Sequence, residues 1–147
     1  MRAVVDTNLL LRMAAAGRHF PLYQAWREKR FVLVTSLSML DEFKRVIRYP
    51  RVRRFLSYGQ GQGFVALLHS LALIVTPASD FPHSRDPSDD MVIATAVAAR
   101  PCYLVTADRD LYDDSDLVTA LRKLGVQVVQ AGEFLAAIAA APPGIDT

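Results

Sequence analysis

Two apolar segments of the chain are each followed by an aspartate. In VVDTN, residues 4–8, Asp6 directly follows two valines, and in LVTAD, residues 104–108, Asp108 comes two positions further on. Carboxylate oxygens are the preferred protein ligands of hard divalent cations such as Mg²⁺ and Mn²⁺. Such a cation can orient a water molecule, help to deprotonate it and neutralise charge on a phosphodiester transition state. This chemistry needs further acids, from other segments, that converge in space.

The segment RDPSDDMVIATAVA, residues 85–98, contains three aspartates. Asp86 precedes Pro87, which is typical of a helix N-cap followed by proline at the first helical position. Asp89 then falls in the first turn, so helix capping accounts for both acids. Asp90 differs, because apolar residues follow it after three, four and seven positions, which predicts that it lies on the core-facing stripe. A carboxylate there needs a partner or a bound metal.

Other acids and potential ligands have ordinary alternatives. Glu42 flanks the apolar stripe of a predicted helix, where an ion pair with Arg45 would also explain it. Asp108 stands at a predicted strand end, with Asp110 close by. A polar loop and a helix N-cap account for the acids that follow, which are Asp113, Asp114 and Asp116. Zinc is not expected, because its potential ligands are scattered at His19, His69, His83 and Cys102.

Short apolar segments predict the strands that position these acids, at Arg2–Asp6, Phe31–Val34, Leu73–Val75, Tyr103–Thr106 and Val126–Val129. Helical patterns follow at Asn8–Ala16, Leu22–Lys29, Ser36–Tyr49, Arg51–Tyr58, Phe64–Ala72, Ser88–Ala99, Ser115–Leu124 and Gly132–Ala141, with Ser36 or Ser38 as the cap of the third helix and a break at Gly59–Gly63. Strands alternating with helices predict a mainly parallel, five-stranded sheet in a three-layer α/β/α sandwich. Because ligands bind beyond the carboxyl ends of such strands, Asp6 and Asp108 are expected at one edge of the sheet.

Length and composition predict one soluble domain. The chain has 147 residues, of which 52% are hydrophobic, and such a fraction permits a sizeable core. Residues 1–141 are predicted to form the domain, and 142–147 a flexible C-terminal tail. The lone Cys102 leaves no internal disulfide and fits a reducing compartment. We find no secretory signal and no apolar run near the ~20 residues of a membrane span, so a cytoplasmic protein without membrane contact is expected.

Charge is unevenly distributed along the chain. Residues 1–79 hold 12 Lys/Arg and 4 Asp/Glu, whereas residues 80–147 hold 5 and 11. A basic surface beside an acidic pocket would suit a phosphate polymer and a divalent metal, although segregated surface charge gives the same pattern. Residues 47–58, IRYPRVRRFLSY, mix arginine with aromatic residues that could stack on unpaired bases, or could form a solvated helix face. Its arginines are Arg48, Arg51, Arg53 and Arg54.

Taken together, five segments resemble the PIN-domain nucleases, and among them the VapC-type toxins of prokaryotic toxin–antitoxin pairs. They are VVDTNLLL (4–11), TSLSMLDEFKRVIRYPRVRRF (35–55), RDPSDDMVIATAVA (85–98), YLVTADRDLY (103–112) and GEFL (132–135). No single segment is decisive, but their order and spacing are quite specific, and they extend over nearly the whole chain.

The resemblance implies hydrolysis of RNA phosphodiester bonds that depends on Mg²⁺ or Mn²⁺. The implied catalytic and metal-binding residues are Asp6, Glu42, Asp90 and Asp108, with Asp110 as a further metal ligand. Positions that support such sites by hydrogen bonds match Thr7, Asn8, Ser36 and Thr106. The implied partners are an RNA substrate and a cognate antitoxin, which the four arginines would contact, and the family likeness also allows a homodimer. Ser88 and Ala107 depart from the family pattern, but neither belongs to the acidic set.

Three alternatives remain at the level of sequence. A phosphomonoesterase with an aspartyl nucleophile commonly has a second acid two positions after the first, where this chain has Asn8. A dinucleotide-binding fold requires its glycines directly after the first strand, and Gly59–Gly63 does not follow that strand. A non-catalytic RNA- or protein-binding module on the same fold is the main alternative. The intact acidic set argues against it, and metal-dependent cleavage would distinguish the two.

Overall fold

The computed structural model of the protein describes residues 1–141, and the predicted tail at 142–147 lies outside the described residues. Five strands form one sheet: β1 Arg2–Val5, β2 Val32–Thr35, β3 Leu73–Ile74, β4 Cys102–Val105 and β5 Val126–Val129. Every neighbouring pair is parallel, in the order β3-β2-β1-β4-β5. In the central strand β1, Ala3, Val4 and Val5 are fully buried, as expected when helices cover both faces of a parallel sheet.

Residues 1–141 contain nine α-helices: α1 Thr7–Ala16, α2 Pro21–Arg27, α3 Leu37–Val46, α4 Pro50–Arg53, α5 Tyr58–Leu71, α6 Asp90–Ala99, α7 Arg109–Tyr112, α8 Ser115–Lys123 and α9 Ala131–Ala140. Helix α6 packs on β1, β2 and β4, while α8 packs on β5 and α9 on β4. The predicted three-layer α/β/α sandwich is therefore confirmed. Within residues 1–141, no helix has the length and apolar character needed to cross a membrane.

The predicted break at Gly59–Gly63 is wrong, because helix α5 runs through these residues. A capping box starts the helix: Ser57 Oγ accepts from the Gln60 backbone N–H at 3.1 Å, and Gln60 Oε1 accepts from the Ser57 backbone N–H at 3.0 Å. Gly61 allows a close approach of two helices, since a Cβ there would lie 3.0 Å from the side chain of Ile47. Caps and close packing thus outweigh the low helix propensity of glycine. Helix α4, in turn, ends at Arg53 instead of continuing to Tyr58.

Ser36, at the carboxyl end of β2, fixes the start of α3. Its hydroxyl accepts from the Met39 backbone N–H at 3.2 Å and lies 2.9 Å from the hydroxyl of Thr95 in α6. Ser36 is fully buried, so these two bonds tie helices α3 and α6 together beside the carboxyl edge of the sheet. Of the two serines that could cap this helix, the structure therefore identifies Ser36.

We expect Ser36→Ala to lower the free energy of unfolding by about 1–2 kcal/mol, because the α3 cap is lost. The Thr95 hydroxyl keeps its bond to the Met91 carbonyl at 2.8 Å, which limits the loss. Urea denaturation measures the change. The control is Ser38→Ala, two residues along the chain, which should shift the free energy of unfolding by under about 0.5 kcal/mol. Equal losses in both variants would contradict this account of the cap.

Candidate active site

A cavity of about 260 Å³ opens at the carboxyl edge of the sheet. Side chains from four separate segments bring carboxylates into it: Asp6, Glu42, Asp86, Asp89 and Asp108. The reason is topological, since β1 and β4 are parallel neighbours whose ends Val5 and Val105 are in register. The residues after both strands consequently meet at one place.

Asp6 is the most enclosed of these acids, with 7% of its surface exposed. It caps α1, because its Oδ1 accepts from the Leu9 backbone N–H at 3.0 Å. Its Oδ2 accepts from the Thr106 hydroxyl and from the Ala107 backbone N–H at 3.3 Å. Burial raises the pKa of Asp6 above its ordinary value, these hydrogen bonds oppose the rise, and the charge of Asp108 adds to it.

Thr106 joins the first acid to the last. While its hydroxyl donates to Asp6, the same oxygen accepts from the Asp108 backbone N–H at 2.9 Å. The Asp108 carboxylate in turn accepts from the Asp110 backbone N–H at 2.9 Å and caps α7. The orientation of both strand-end acids is therefore set by one fully buried threonine.

Glu42 reaches the cavity from α3. Its Oε2 accepts from the Thr7 hydroxyl at 3.1 Å, so a residue next to Asp6 holds it in place. Within residues 1–141 it forms no ion pair with Arg45. The alternative suggested by the sequence, a surface ion pair, does not describe this residue.

Asp86 and Asp89 enter the cavity from a 3-10 turn, Pro87–Asp89. Asp86 caps the turn by accepting from the Ser88 backbone N–H at 3.0 Å. Burial raises the pKa of Asp89 to about 7, assisted by a hydrogen bond with the Asp108 carboxyl group and by the charges of Asp108 and Asp86. The predicted capping role holds for Asp86, but capping does not exhaust the role of either acid. The spacing of Asp86 and Asp89 could have indicated that they act together, because side chains three positions apart in a 3-10 turn eclipse and share one face.

Asp90 does not line this cavity. Its carboxylate accepts from the Ser84 backbone N–H at 3.2 Å and lies 2.9 Å from His83 Nδ1. The structure thus brings together Asp6, Glu42 and Asp108 from the predicted set, with Asp89 in the place expected for Asp90. The apolar stripe could not discriminate the two, because α6 is buried on almost every side.

Some of the predicted polar and basic residues also lie at the cavity, and others lie away from it. Thr7 and Asn8 line the cavity, and Thr106 donates to Asp6. Ser36 is not among the wall residues and instead joins α3 to α6. In the described part of the chain, Arg51 is the member of the basic segment that reaches the cavity. Arg48 instead lies over the Tyr58 ring and donates to its hydroxyl at 3.4 Å, and neither Arg53 nor Arg54 lines the cavity.

The residues present fit a divalent metal ion. One carboxylate oxygen each from Asp86, Asp89 and Asp110 lies within 4.8 Å of the other two. The donors are all oxygen, as Mg²⁺ and Mn²⁺ prefer. Burial raises the pKa of both Asp6 and Asp89, and the charge of Asp108 adds to each rise, so the ionised carboxylates would be stabilised by the counter-charge of a cation. Arg85 provides part of it, at 3.2 Å from Asp110.

Comparison with protein-family models matches residues 2–110 to the family described as the PIN domain. The matched range is more than half of the chain and contains all five cavity acids. A comparison with curated proteins finds no match. The chain therefore belongs to the PIN domain family, whose members are generally metal-dependent nucleases.

Proposed function

We propose that this protein is an endoribonuclease that hydrolyses RNA phosphodiester bonds with Mg²⁺ or Mn²⁺ and uses Asp6, Glu42, Asp89 and Asp108. The observation that carries the proposal is the convergence of these carboxylates in one cavity. A single carboxylate binds a divalent cation weakly, whereas several converging ones bind it and fix its position. Family membership supplies the reaction class, which is nucleic-acid cleavage.

The residues of the chain have distinct roles in this proposal. The four acids would hold the metal together with Asp86 and Asp110, whose carboxylate oxygens lie within 4.8 Å of that of Asp89. When bound, the metal would supply activation of water and neutralisation of phosphate charge. Thr106 and Thr7 orient the acids through the hydrogen bonds described above. Asn8 and Arg51 line the same cavity, where an amide and a guanidinium group can donate hydrogen bonds to phosphate oxygens.

The test is cleavage of a mixed cellular RNA pool by the purified protein with Mg²⁺ or Mn²⁺, in parallel with EDTA. We expect cleavage that EDTA abolishes and that excess cation restores. Intact RNA in every lane, together with no heat of metal binding in calorimetry, would overturn the proposal in favour of a non-catalytic binding module. Cleavage that persists in EDTA would equally contradict the assigned acids.

We also propose that the protein is the toxin of a toxin–antitoxin pair, on the strength of the five segments that resemble VapC-type toxins. Its partner would then be a cognate antitoxin, and a homodimer would be compatible with that arrangement. Expression of the chain alone should arrest growth, and co-expression of the protein from a neighbouring short reading frame should relieve the arrest. Unchanged growth under strong expression would refute the toxin role while leaving the nuclease activity to the cleavage assay.

Metal binding should weaken as the pH falls through about 7. The pKa of Asp89 is raised to about 7, so below that pH the cation must displace a proton. We expect the Kd for Mn²⁺ to rise roughly tenfold per pH unit below 7.

A raised folded-state pKa also means that the metal-free protein loses stability as the pH rises through 7. Titration calorimetry and thermal unfolding between pH 5 and 8 measure both effects, and a Kd that does not change with pH would contradict them.

A further inference from the structure

A second cavity, of about 660 Å³, adjoins the acidic one. The two share Asn8, Arg51, Asp86 and Asp108 in their walls, so they form one continuous groove. The additional walls combine basic and aromatic side chains with two aliphatic residues and one acid: Arg12, Arg109, Phe55, Leu11, Ala107 and Asp110. Its volume lies within the range of pockets that hold a small organic ligand, which includes a single nucleotide.

Two arginines in this groove carry charges that the protein does not neutralise. Arg12 and Arg51 are exposed, and within residues 1–141 neither forms an ion pair. Arg51 makes a cation–π contact with Tyr49, since its guanidinium carbon lies over the tyrosine ring at 5.8 Å from the ring centroid. Arg109, by contrast, is paired with Asp113 at 3.1 Å. The groove therefore offers two free cations beside a set of acids, which suits a chain of phosphates that runs past a metal site.

Phe55 presents a phenyl ring to this groove with 54% of its surface exposed. The ring is not on a loose loop. Its backbone N–H donates to the Val52 carbonyl at 3.1 Å, and both Val52 and Leu56 are fully buried. A large apolar ring that is exposed, rigidly supported and flanked by arginines is the arrangement on which unpaired bases stack.

We infer that the groove holds an unstacked nucleotide next to the scissile phosphate, with Phe55 stacking on its base and Arg12 and Arg51 binding the adjacent phosphates. The inference rests on the proposed RNA hydrolysis and adds the residues that position the substrate, which are Phe55 for a base and Arg12 and Arg51 for phosphates. Bases within a duplex have both faces covered by neighbours, so they cannot reach Phe55. A partner-protein helix suits the groove less well, because Phe55 is the only large apolar side chain among its described wall residues that is exposed, whereas such a helix is bound through several apolar contacts.

The test measures binding and cleavage separately. A short labelled single-stranded RNA of mixed sequence, and the same RNA annealed to its complement, are bound to protein carrying Glu42→Gln, so that no cleavage occurs. We expect Phe55→Ala to weaken single-strand binding roughly 5- to 100-fold, and Phe55→Trp to restore it. Arg12→Ala and Arg51→Ala should each reduce the slope of log affinity against log salt by about 1. Leu71→Ala, an equally exposed apolar residue, and Arg18→Ala, an exposed arginine outside both cavities, are the matched controls.

Two results would overturn the groove assignment, namely wild-type affinity in Phe55→Ala or equal affinity for the duplex. If Phe55→Ala instead loses binding to a co-expressed partner protein while its RNA affinity stays intact, the groove is a binding site for a protein and not for RNA. These outcomes test the groove independently of the proposed hydrolysis. If the protein with Glu42 intact binds RNA through Phe55 but never cleaves it, hydrolysis fails and the groove stands. In cleavage assays the Phe55→Ala loss should appear in KM, with Mn²⁺ affinity unchanged.

Discussion

Replacing Asp89 by asparagine is expected to reduce RNA cleavage at least roughly 100-fold, because in the proposed function it removes a carboxylate that holds the cation, and such a ligand contributes several kcal/mol to the transition state. Replacing the adjacent Asp90 should leave cleavage within about threefold of wild type. Asp89 lines the acidic cavity together with Asp108, whereas Asp90 is bound to Ser84 and His83 outside it. The pair is a matched comparison, since the same chemical change is made at neighbouring positions.

Single-turnover cleavage with Mn²⁺ and calorimetric Mn²⁺ titration measure the two effects. Asp89→Asn should also lose most of its metal affinity and the pH dependence of that affinity. Asp90→Asn should instead cost about 1 kcal/mol of unfolding free energy, because it weakens the bonds to the preceding loop. The reverse pattern, with Asp90→Asn inactive and Asp89→Asn active, would show that the acidic cavity is not the catalytic one.

Asp6→Asn is expected to abolish cleavage and yet leave the metal-free protein as stable as wild type, or more stable. Asparagine keeps an oxygen that can accept from the Leu9 backbone N–H and cap α1, but it has no charge to desolvate. Burial raises the pKa of Asp6, which means that its ionised form is unfavourable in the folded state. A site that needs a charged carboxylate for catalysis therefore sacrifices some stability to hold it.

The sign of the pH effect makes this prediction specific. A raised folded-state pKa stabilises the wild-type protein at low pH, and that contribution is lost as the pH rises. Relative to wild type, Asp6→Asn should consequently gain in thermal unfolding temperature between pH 5 and pH 8 when EDTA is present. Added Mn²⁺ should reverse the order, because it stabilises the wild type more. An apo variant that unfolds well below the wild type at pH 8 would show that the capping bonds, and not the charge, dominate at this position.

Much of the architecture could be predicted from the sequence. Short apolar strands alternating with helices imply a parallel sheet, and a parallel sheet has one carboxyl edge. Asp6 and Asp108 each follow a strand, so their proximity follows from chain order and sheet topology without any knowledge of side-chain packing. The threonine two positions before Asp108 belongs to the same local pattern, and its hydroxyl links the two acids.

The secondary structure between Tyr49 and Phe64 is harder to predict from the sequence. The segment Gly59–Gly63 has low helix propensity because three of its five residues are glycine, yet it forms the first turns of α5. A serine three positions before a glutamine is a local signal for that helix. The close approach of Gly61 to Ile47 exists only after the helices have packed. Propensity acts within a few residues, and here a tertiary contact outweighed it.

The sequence by itself determined that carboxylates gather at one edge of a parallel sheet, whereas the tertiary structure decided which carboxylates they are. Glu42 has an ordinary surface pattern until Thr7 is brought against it. Asp89 and Asp90 are adjacent, and periodicity favours Asp90 for the buried face. That reasoning fails because α6 is enclosed by β1, β2, β4 and α3, so it has no single core-facing stripe. The 3-10 turn at Pro87–Asp89 then directs Asp89 toward Asp108, while His83 and Ser84 hold Asp90 outside the cavity.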